Sequence, residues 1–464
     1  MKAHLTLLAA SLVLAACGSS LPKPDSGIEP PAAWQNVETP GARADNQQWW
    51  TQFGSPQLNR LIEQARLDSH DLAAAMARVR QAQASAVIAG APLLPEIKAG
   101  LNGNRQELLR GKGYSQLDVS RDSRTIDYYD ANLSASYELD FWGGKRAARD
   151  SALSNLSASG FDRATVELTL LSGVANSYTQ ALSLGEQQRI AALNLANAQS
   201  VLSLVQTRYD AGSATALELS QQKSLVAAQQ RRLPQVQQQA REAAITLATL
   251  LGQPVQSVNL ADEQFDRLHW PAIDAGVPSE LLRRRPDIAA AEARLTAAEA
   301  DIRVARAALL PSVTLGLTLG TGADIADQLL RNNVYNLTAG LTAPIFNNGR
   351  LKAERDKARA RQEELLELYR AAIVNGFADV EKALNSIHGI DQQRQWQTEE
   401  LQQAQNAFDI AQSRYQAGAE DLLTVLETQR TLYAAQDMNV QLRLARVQAS
   451  VALYKALGGG WRVN

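Results

Sequence analysis

One cysteine carries the clearest chemistry in this sequence. Cys17 follows the tripeptide Leu-Ala-Ala at 14–16 and closes an apolar run that is shorter than the roughly 20 residues of a membrane-spanning helix. Small residues before a cysteine at the end of a secretory signal form a lipobox, where the thiol takes a diacylglycerol and the new N-terminus is acylated. Gly18 stands where aspartate would be the usual signal for inner-membrane retention. The sequence therefore predicts a signal peptide over 1–16 and an outer-membrane lipoprotein; an incidental cysteine is the alternative.

No other residues have the spacing of a catalytic or metal-binding site. The four histidines are far apart and lack ligand spacing: His4, His70, His269 and His388. We find no nucleophile elbow, phosphate-binding loop or dinucleotide-binding motif, and the carboxylates stand beside Arg and Lys in helical segments. The prediction is a non-enzyme that uses no metal or cofactor, apart from the covalent lipid on Cys17, and takes its energy from a partner.

The composition favours long helices and gives no reason to expect a nucleic-acid partner. The chain has 464 residues, a formal net charge of −2 and only 5% aromatic residues. After the leader, no stretch is apolar and long enough for a transmembrane helix. If the protein crosses a membrane, it must do so with strands.

The sequence contains an internal repeat. Short matches keep one order over nearly the whole chain and pair 71–78 with 287–294, 93–95 with 309–311, 208–212 with 414–418, 222–229 with 429–436 and 251–252 with 457–458. The proline, tyrosine and glycine residues within these matches make chance an unsatisfactory explanation. Each half therefore has the same plan.

Each half begins with an Ala-rich helix and continues with two alternating segments. The helices are predicted from about Pro56 to Ala91 and from about Ser279 to Ala308, and Pro95 and Pro311 end the helical pattern. Apolar and polar residues then alternate over 97–102 and 132–139 in the first half, and over 313–319 and 336–341 in the second. A period of two predicts strands with one apolar and one polar face.

The residues of the predicted strands are more typical of membrane-spanning strands than of a half-buried sheet in a soluble protein. Their polar faces carry Gly, Ser, Thr and Asn, and polar connections at 106–124 and 321–333 are suited to outer loops. Four strands cannot close a barrel, and open edges are not tolerated in lipid. Several chains must pool their strands; two chains would give eight strands and three would give twelve.

Two long helices follow the strands. Helical periodicity continues from the Gly-rich segments 141–145 and 346–350 to Tyr209 and Tyr415, about 65 residues or about 95 Å. That length is typical of a coiled coil or helical tube rather than an ordinary bundle. Ala-Gly at 211–212 and 417–418 ends each long helix, and return helices follow to Leu250 and Leu457. The Arg-Tyr-x-Ala-Gly turns should therefore lie farthest from the strands.

These motifs resemble the outer-membrane factor (TolC-like) family, in its lipoprotein branch. The resemblance rests on segments 281–288, 308–312 and 53–58, the two Arg-Tyr-x-Ala-Gly turns and the terminal segment 457–461, and it covers essentially the whole mature chain. It implies a mainly α protein with membrane β structure: a homotrimer with a twelve-stranded outer-membrane β-barrel continued by a twelve-helix periplasmic α-barrel. It also implies a mixed equatorial region formed by residues 18–56, 253–278 and the C-terminal tail.

The division of the chain follows from the repeat and the resemblance. The predicted segments are a signal peptide 1–16, a lipid-anchored segment 17–56, repeat 1 at 57–252, a linker 253–278, repeat 2 at 279–458 and a tail 459–464. The implied partners are outer-membrane lipid, a periplasmic adaptor and an inner-membrane pump, either a proton-driven RND exporter or a MacB-type ABC exporter.

The resemblance also places a gate at the periplasmic tip. The matching positions are Leu423, Thr424, Glu427 and Arg430. Thr424 departs from relatives that carry an acid there, so Glu427 is the main candidate for a charged ring; an ordinary solvated pair with Arg430 is the alternative. The tip turns contribute Arg208, Tyr209, Gly212, Arg414, Tyr415 and Gly418. Hydrogen bonds of Arg414 and Tyr415 to the neighbouring turn could lock the tip, and plain packing is equally consistent for Tyr209.

Three functions fit these features. The first is an outer-membrane exit duct of a tripartite efflux pump, carrying drugs, toxic compounds or siderophore-like metabolites. The second is a protein-secretion duct of the same fold. The third is a lipid-anchored periplasmic scaffold without a pore.

Overall fold

The computed structural model describes residues 26–35, 42–43, 48–114, 122–258, 260, 264–271 and 273–461. Within these residues the chain forms two compact units. The first is built from Arg78–Ser159 and Ala291–Tyr369, and the second from Gly27–Ala77, Gly160–Ala290 and Arg370–Asn464.

Helices dominate the described residues. In chain order they are α1 (Pro56–Asp68), α2 (His70–Gly90), α3 (Gly144–Asp210), α4 (Ala216–Leu250), α5 (Pro278–Arg284), α6 (Pro286–Ala307), α7 (Arg350–Gln416) and α8 (Leu422–Ala456). Both long helices, α3 and α7, have 67 residues, which confirms the length predicted from periodicity. None of the helices that the structure describes is apolar enough over a sufficient length to cross a membrane.

The strands are also found in both halves. They are β1 (Ala42–Arg43), β2 (Glu96–Glu107), β3 (Gly113–Tyr114), β4 (Asp122–Ser123), β5 (Thr125–Leu139), β6 (Ile273–Asp274), β7 (Ser312–Ala323) and β8 (Asn333–Thr342). The four long strands confirm the alternating segments of the sequence and extend beyond them. The short hairpin of β3 and β4 lies in the first connection, which we had expected to be a loop.

The first unit contains a four-stranded antiparallel sheet in the order β2-β5-β7-β8. Its register places Leu133 opposite both Ala99 and Leu319, and Leu319 opposite Tyr335, so apolar side chains line up across one face. These side chains are exposed, for example Leu337 at 75%. A soluble protein rarely exposes such a continuous apolar surface.

The two outer strands of this sheet leave backbone groups without partners. Among the described residues, β2 pairs only with β5 and β8 pairs only with β7. Unpaired edges are templates for further strand pairing, and in lipid they are not tolerated. Each outer strand of the sheet therefore presents an edge at which a further strand can pair.

Local interactions fix where the long helices begin. The Asp140 carboxylate accepts hydrogen bonds from the backbone N–H groups of Lys145 and Arg146, both at 3.0 Å, and satisfies two free donors at the start of α3. Before α7, Asn348 and Gly349 both have positive φ, which turns the chain into the helix.

The second unit has an aromatic core. Trp49 is fully buried and stacks on Tyr454 at 5.2 Å between ring centroids, while Trp50 and Phe53 contact it edge-on. The Tyr454 hydroxyl donates to Gln52 at 2.8 Å. This core holds the segment before α1 against the end of α8.

The first helix predicted in each half is in fact two helices. Ser69 separates α1 from α2 and has extended backbone angles. Arg285 separates α5 from α6 and is also extended, because Pro286 disfavours helical angles in the preceding residue. The prediction of one continuous helix was wrong because both breaks lie within otherwise strong Ala- and Leu-rich periodicity.

The end of a return helix packs against each of these breaks. A Cβ added at Gly252 would lie 2.5 Å from the carbonyl oxygen of Asp68, and one added at Gly458 would lie 2.0 Å from that of Arg284. Both glycines have positive φ, at 69° and 88°. The repeated Leu-Gly pairs at 251–252 and 457–458 are therefore explained by close backbone approach at two equivalent junctions.

Replacing Gly252 tests this explanation, and Gly212 provides a matched control. Gly212 has a similar φ of 75° but no atom within 4 Å of an added Cβ. We expect Gly212→Ala to destabilise the fold by about 1–2 kcal/mol, the conformational cost alone. Gly252→Ala should cost clearly more, measured as the thermal midpoint of circular dichroism in detergent. Equal shifts for the two variants would show that the junction tolerates a side chain.

Candidate functional site

The first Arg-Tyr-x-Ala-Gly turn ends α3 with paired backbone hydrogen bonds. Ser213 N–H donates to Arg208 O at 2.8 Å, and Gly212 N–H donates to Tyr209 O at 2.9 Å. This pair of bonds is a Schellman motif, which requires the left-handed conformation that Gly212 adopts. The second turn repeats the bonds after α7 with Ala419, Arg414, Gly418 and Tyr415. The shared sequence motif thus encodes one turn geometry twice.

The return helices start with side-chain caps. Thr215 and Glu218 form a capping box at α4, with Glu218 N–H donating to Thr215 Oγ1 at 3.2 Å. At α8 the Asp421 carboxylate accepts from Thr424 N–H at 2.8 Å. That backbone hydrogen bond is the main cause that lowers the pKa of Asp421, so the cap stays ionised.

A cation–π contact joins the two turns. The guanidinium carbon of Arg208 lies 4.2 Å from the centroid of the Tyr415 ring, and its Nη2 donates to the backbone carbonyl of Tyr415. Tyr415 is only 2% exposed. Burial raises the pKa of the Tyr415 phenol, and the charge of Arg208 opposes that shift. The phenol is therefore neutral at physiological pH.

The equivalent residues of the other turn are arranged differently. The Arg414 guanidinium lies against Glu420 of its own turn, at 3.3 Å between Nε and Oε2, and its side chain is 58% exposed. Tyr209 is 40% exposed. Of the two residues predicted to bond to the neighbouring turn, Tyr415 does so within this chain, where its carbonyl accepts from Arg208. Arg414 instead bonds within its own turn.

The four gate candidates lie in the first turns of α8. Leu423 is 61% exposed, and the side chains of Glu427 and Arg430 are exposed. No ion pair joins Glu427 to Arg430 in the described part of the chain. Thr424 is half-buried, and its hydroxyl donates to Asp421 at 2.9 Å as part of the helix cap. Three of the four side chains are thus available to face a channel, whereas Thr424 is committed to the helix start.

Buried amides tie the helices together behind these turns. Gln222 and Gln429, which the repeat aligns, are both fully buried. Gln222 donates to Ala198 O at 2.8 Å, and Gln429 donates to the Tyr433 hydroxyl, which donates to Asn194 O. Burial raises the pKa of Tyr433 to about 12. This role was not predicted, and the one signal for it in the sequence is the match of the two glutamines between the repeats.

An ion pair also links the two return helices. Arg232 of α4 lies 3.1 Å from Asp437 of α8. Together with the cation–π contact and the buried amides, it holds the two helical hairpins of one chain side by side. Cys17, the predicted lipidation site, lies outside the described residues.

Comparison with known sequences identifies the family. The sequence model of the "Outer membrane efflux protein" family matches residues 61–253 and 277–459, one match for each half of the chain. These two segments cover most of the chain and confirm the repeated architecture.

Individual proteins agree with this assignment. The chain is 63% identical over 460 residues to the pyoverdine export outer membrane protein OpmQ of Pseudomonas aeruginosa, covering 99% of this chain and 97% of that protein. It is 60% identical to OpmQ of Pseudomonas putida, covering 99% and 98%. Its structure resembles that of the outer-membrane channel OprN, with a TM-score of 0.86 at 28% identity, covering 96% of this chain and 99% of OprN. The chain therefore belongs to the outer membrane efflux protein family, and it is an outer-membrane efflux channel and not an enzyme.

Proposed function

We propose that this channel is the exit duct of a tripartite system that exports pyoverdine. The observation that carries the proposal is the 63% identity to OpmQ of Pseudomonas aeruginosa, spread over 99% of the chain. Identity at that level extends through the strands, the turns and the helices rather than a single domain. Siderophore-like metabolites are among the cargoes expected from the sequence.

The fold supports a duct built from three chains. Each chain supplies four long strands with two open edges and two helical hairpins. Three copies would close a twelve-stranded barrel in the outer membrane and continue it as a twelve-helix periplasmic tube. The repeats at 57–252 and 279–458 would then alternate around the tube, with 17–56, 253–278 and 459–464 forming a collar around it.

Energy and cargo delivery must come from partners. A periplasmic adaptor would join the tip to an inner-membrane pump, either an RND or a MacB-type ABC exporter. The chain carries no nucleotide-binding motif. The two helical hairpins of each chain, α3–α4 and α7–α8, are joined by polar contacts. In this proposal the chain is a passive duct, and binding of the adaptor separates these hairpins.

The gate in this proposal lies at the start of α8. Leu423, Glu427 and Arg430 occur at intervals of four and three residues, so they share one exposed face of the helix. Three copies of Glu427 would form an acidic ring that favours cations and retards anions. Arg430, one turn away on the same face, would partly offset that field.

Lipidation of Cys17 would fix the N-terminus of each chain to the inner leaflet of the outer membrane. One diacylated and N-acylated cysteine supplies several acyl chains, which is sufficient for stable anchoring. In this proposal the anchor assists sorting, whereas the strands cross the membrane.

Export can be tested in a pseudomonad whose own pyoverdine export channel has been deleted. We expect expression of this chain to raise pyoverdine fluorescence in the culture supernatant and to lower it in the periplasm, compared with an empty vector. Immunodetection in the outer-membrane fraction controls for expression. If the chain is present there and supernatant fluorescence stays at the empty-vector level, pyoverdine is not its cargo.

The role of the anchor can be separated from that of the strands with Cys17→Ser. We expect the variant to remain insoluble without detergent, because the apolar faces of the strands still require lipid. Because a lipobox signal is cut only after the cysteine is lipidated, residues 1–16 are exchanged in this variant for a secretory signal that is cleaved without lipidation. The readout is the partition of the mature variant between the aqueous and detergent phases. A variant that becomes soluble would support the scaffold without a pore and overturn the proposed barrel.

The gate is tested by single-channel conductance in planar bilayers. Glu427→Ala combined with Arg430→Ala should raise conductance, because it removes long charged side chains from the narrowest point. Ser220→Ala with Lys223→Ala is the matched control, since these exposed positions align with 427 and 430 when Gln222 is aligned with Gln429. Unchanged conductance in the first variant would remove these residues from the gate.

A further inference from the structure

A groove of about 700 Å³ lies in the second unit, over the C-terminal half of α8. In this α8 groove, α8 forms the floor, and residues 165–169 of α3 and 379–390 of α7 form the walls. Small side chains at intervals of four, three and four residues make the floor deep: Ala445, Ala449, Ala452 and Ala456. All three helices belong to one chain, so a second chain is not needed to build the groove.

The α8 groove faces away from the aromatic core. On the other side of α8, Val447, Val451 and Tyr454 are buried, and Tyr454 stacks on Trp49. In the proposed trimer this core belongs to the collar around the tube. The groove on the opposite face of α8 would then open toward the passage through which cargo moves.

One end of the α8 groove is charged. The largely buried Arg285 guanidinium donates to Asp287 at 2.6 Å and to Asp379 at 2.9 Å, so these three side chains form a closed ion-pair group. Lys382 and Lys455 line the same end and are exposed, and neither forms an ion pair with the part of the chain that the structure describes. Three cationic and two anionic groups therefore give this end a net positive charge.

The repeat shows that the fold does not require these cations. Arg285, Lys382 and Lys455 all belong to the second half of the chain. At the three matched positions the first half has short neutral side chains: Ser69, Asn176 and Thr249. Equivalent helices are thus built without positive charge at this level, and the cations of the α8 groove call for another explanation.

We propose that the α8 groove binds an anionic, partly apolar solute in transit through the duct. Lys382 and Lys455 would donate charge-assisted hydrogen bonds to its anionic group. Its apolar part would lie on the alanine floor between Leu168 and Ile390, which are both half-buried in the walls. This inference rests on the proposed function, and it names the chemical class of solute that the wall of the duct favours.

The distance from the gate candidates gives the α8 groove a role in export. Glu427 and Lys455 lie in one continuous helix, about 42 Å apart along its axis. The acidic ring proposed at Glu427 would retard anions, whereas positive charge farther along the wall would attract those that have passed it. The groove would therefore raise the local concentration of anionic solute on the outer side of the gate.

Equilibrium dialysis tests the α8 groove with two probes. Naphthalene-1-sulfonate and the uncharged naphthalene-1-methanol share a ring system and differ in charge. We expect the purified channel in detergent to bind the sulfonate, and Lys382→Gln with Lys455→Gln to bind it about tenfold more weakly, because two charge-assisted contacts are lost. The alcohol should bind equally to both proteins. Comparison in the same detergent cancels the uptake of either probe by micelles.

Three further variants separate charge from shape. Lys382→Arg with Lys455→Arg keeps both cations and should retain the sulfonate. Ala452→Leu fills the floor and should weaken the binding of both probes. Lys352→Gln with Lys357→Gln removes two exposed cations outside the groove and should leave binding unchanged. Equal affinity for the sulfonate in the unmodified channel and in the Lys382→Gln, Lys455→Gln variant would overturn the inference.

Failure of this inference is distinguishable from failure of the proposed function, because dialysis requires no transport. A channel that restores pyoverdine fluorescence to the supernatant, yet binds the sulfonate no better than the double glutamine variant, keeps the proposed function and loses the groove as a binding site. A channel that binds the sulfonate through the two lysines and restores no export keeps the binding site and loses the proposed cargo.

Discussion

The architecture depends on one constraint: the backbone N–H and C=O groups at the two edges of the sheet need hydrogen-bond partners. Within the described residues β2 and β8 each present one side without a partner strand, and one face of the sheet is covered with exposed leucines. An isolated chain would place both features in water or leave unpaired amides in lipid, and either is costly. In the trimer proposed above, the four strands per chain would make assembly a condition of the membrane structure. The two β-hairpins and two helical hairpins of each chain would then alternate in a ring.

Glycine positions decide how the helices connect. At Gly212 and Gly418 the left-handed conformation closes a Schellman turn in open space, so the side chain is excluded by φ alone. At Gly252 and Gly458 it is also excluded by a carbonyl oxygen at the break between two helices. Glycine therefore serves two purposes here: it adopts a positive φ at the turns, and it allows close backbone approach at the helix breaks. In the sequence both kinds of glycine occur as repeated dipeptides, Ala-Gly and Leu-Gly, and nothing in the dipeptide tells which purpose applies.

The sequence was sufficient for features governed by local periodicity. The 67-residue helices, the alternating strands and the turns after Tyr209 and Tyr415 all follow from spacing and from Ala-Gly stops. The sequence was insufficient where contacts with residues distant in the chain determine the backbone conformation or the exposure of a side chain. The breaks at Ser69 and Arg285 interrupt good helical patterns. Val374, which an offset of 206 residues between the repeats aligns with the half-buried Leu168, is 53% exposed. Motif matching also could not show that Arg208, rather than Arg414, spans the two turns of one chain.

Two positions beside these arginines differ between the repeats. Glu420 replaces the alanine found at 214 and holds Arg414 in its own turn, and Asp210 replaces the glutamine found at 416 and leaves a carboxylate beside the exposed Tyr209. A carboxylate at 420 therefore gives Arg414 a partner inside its own turn, whereas Arg208, with alanine at the matched position 214, lies over the Tyr415 ring of the other turn. Two turns with the same backbone hydrogen bonds thus differ in the contacts of their side chains.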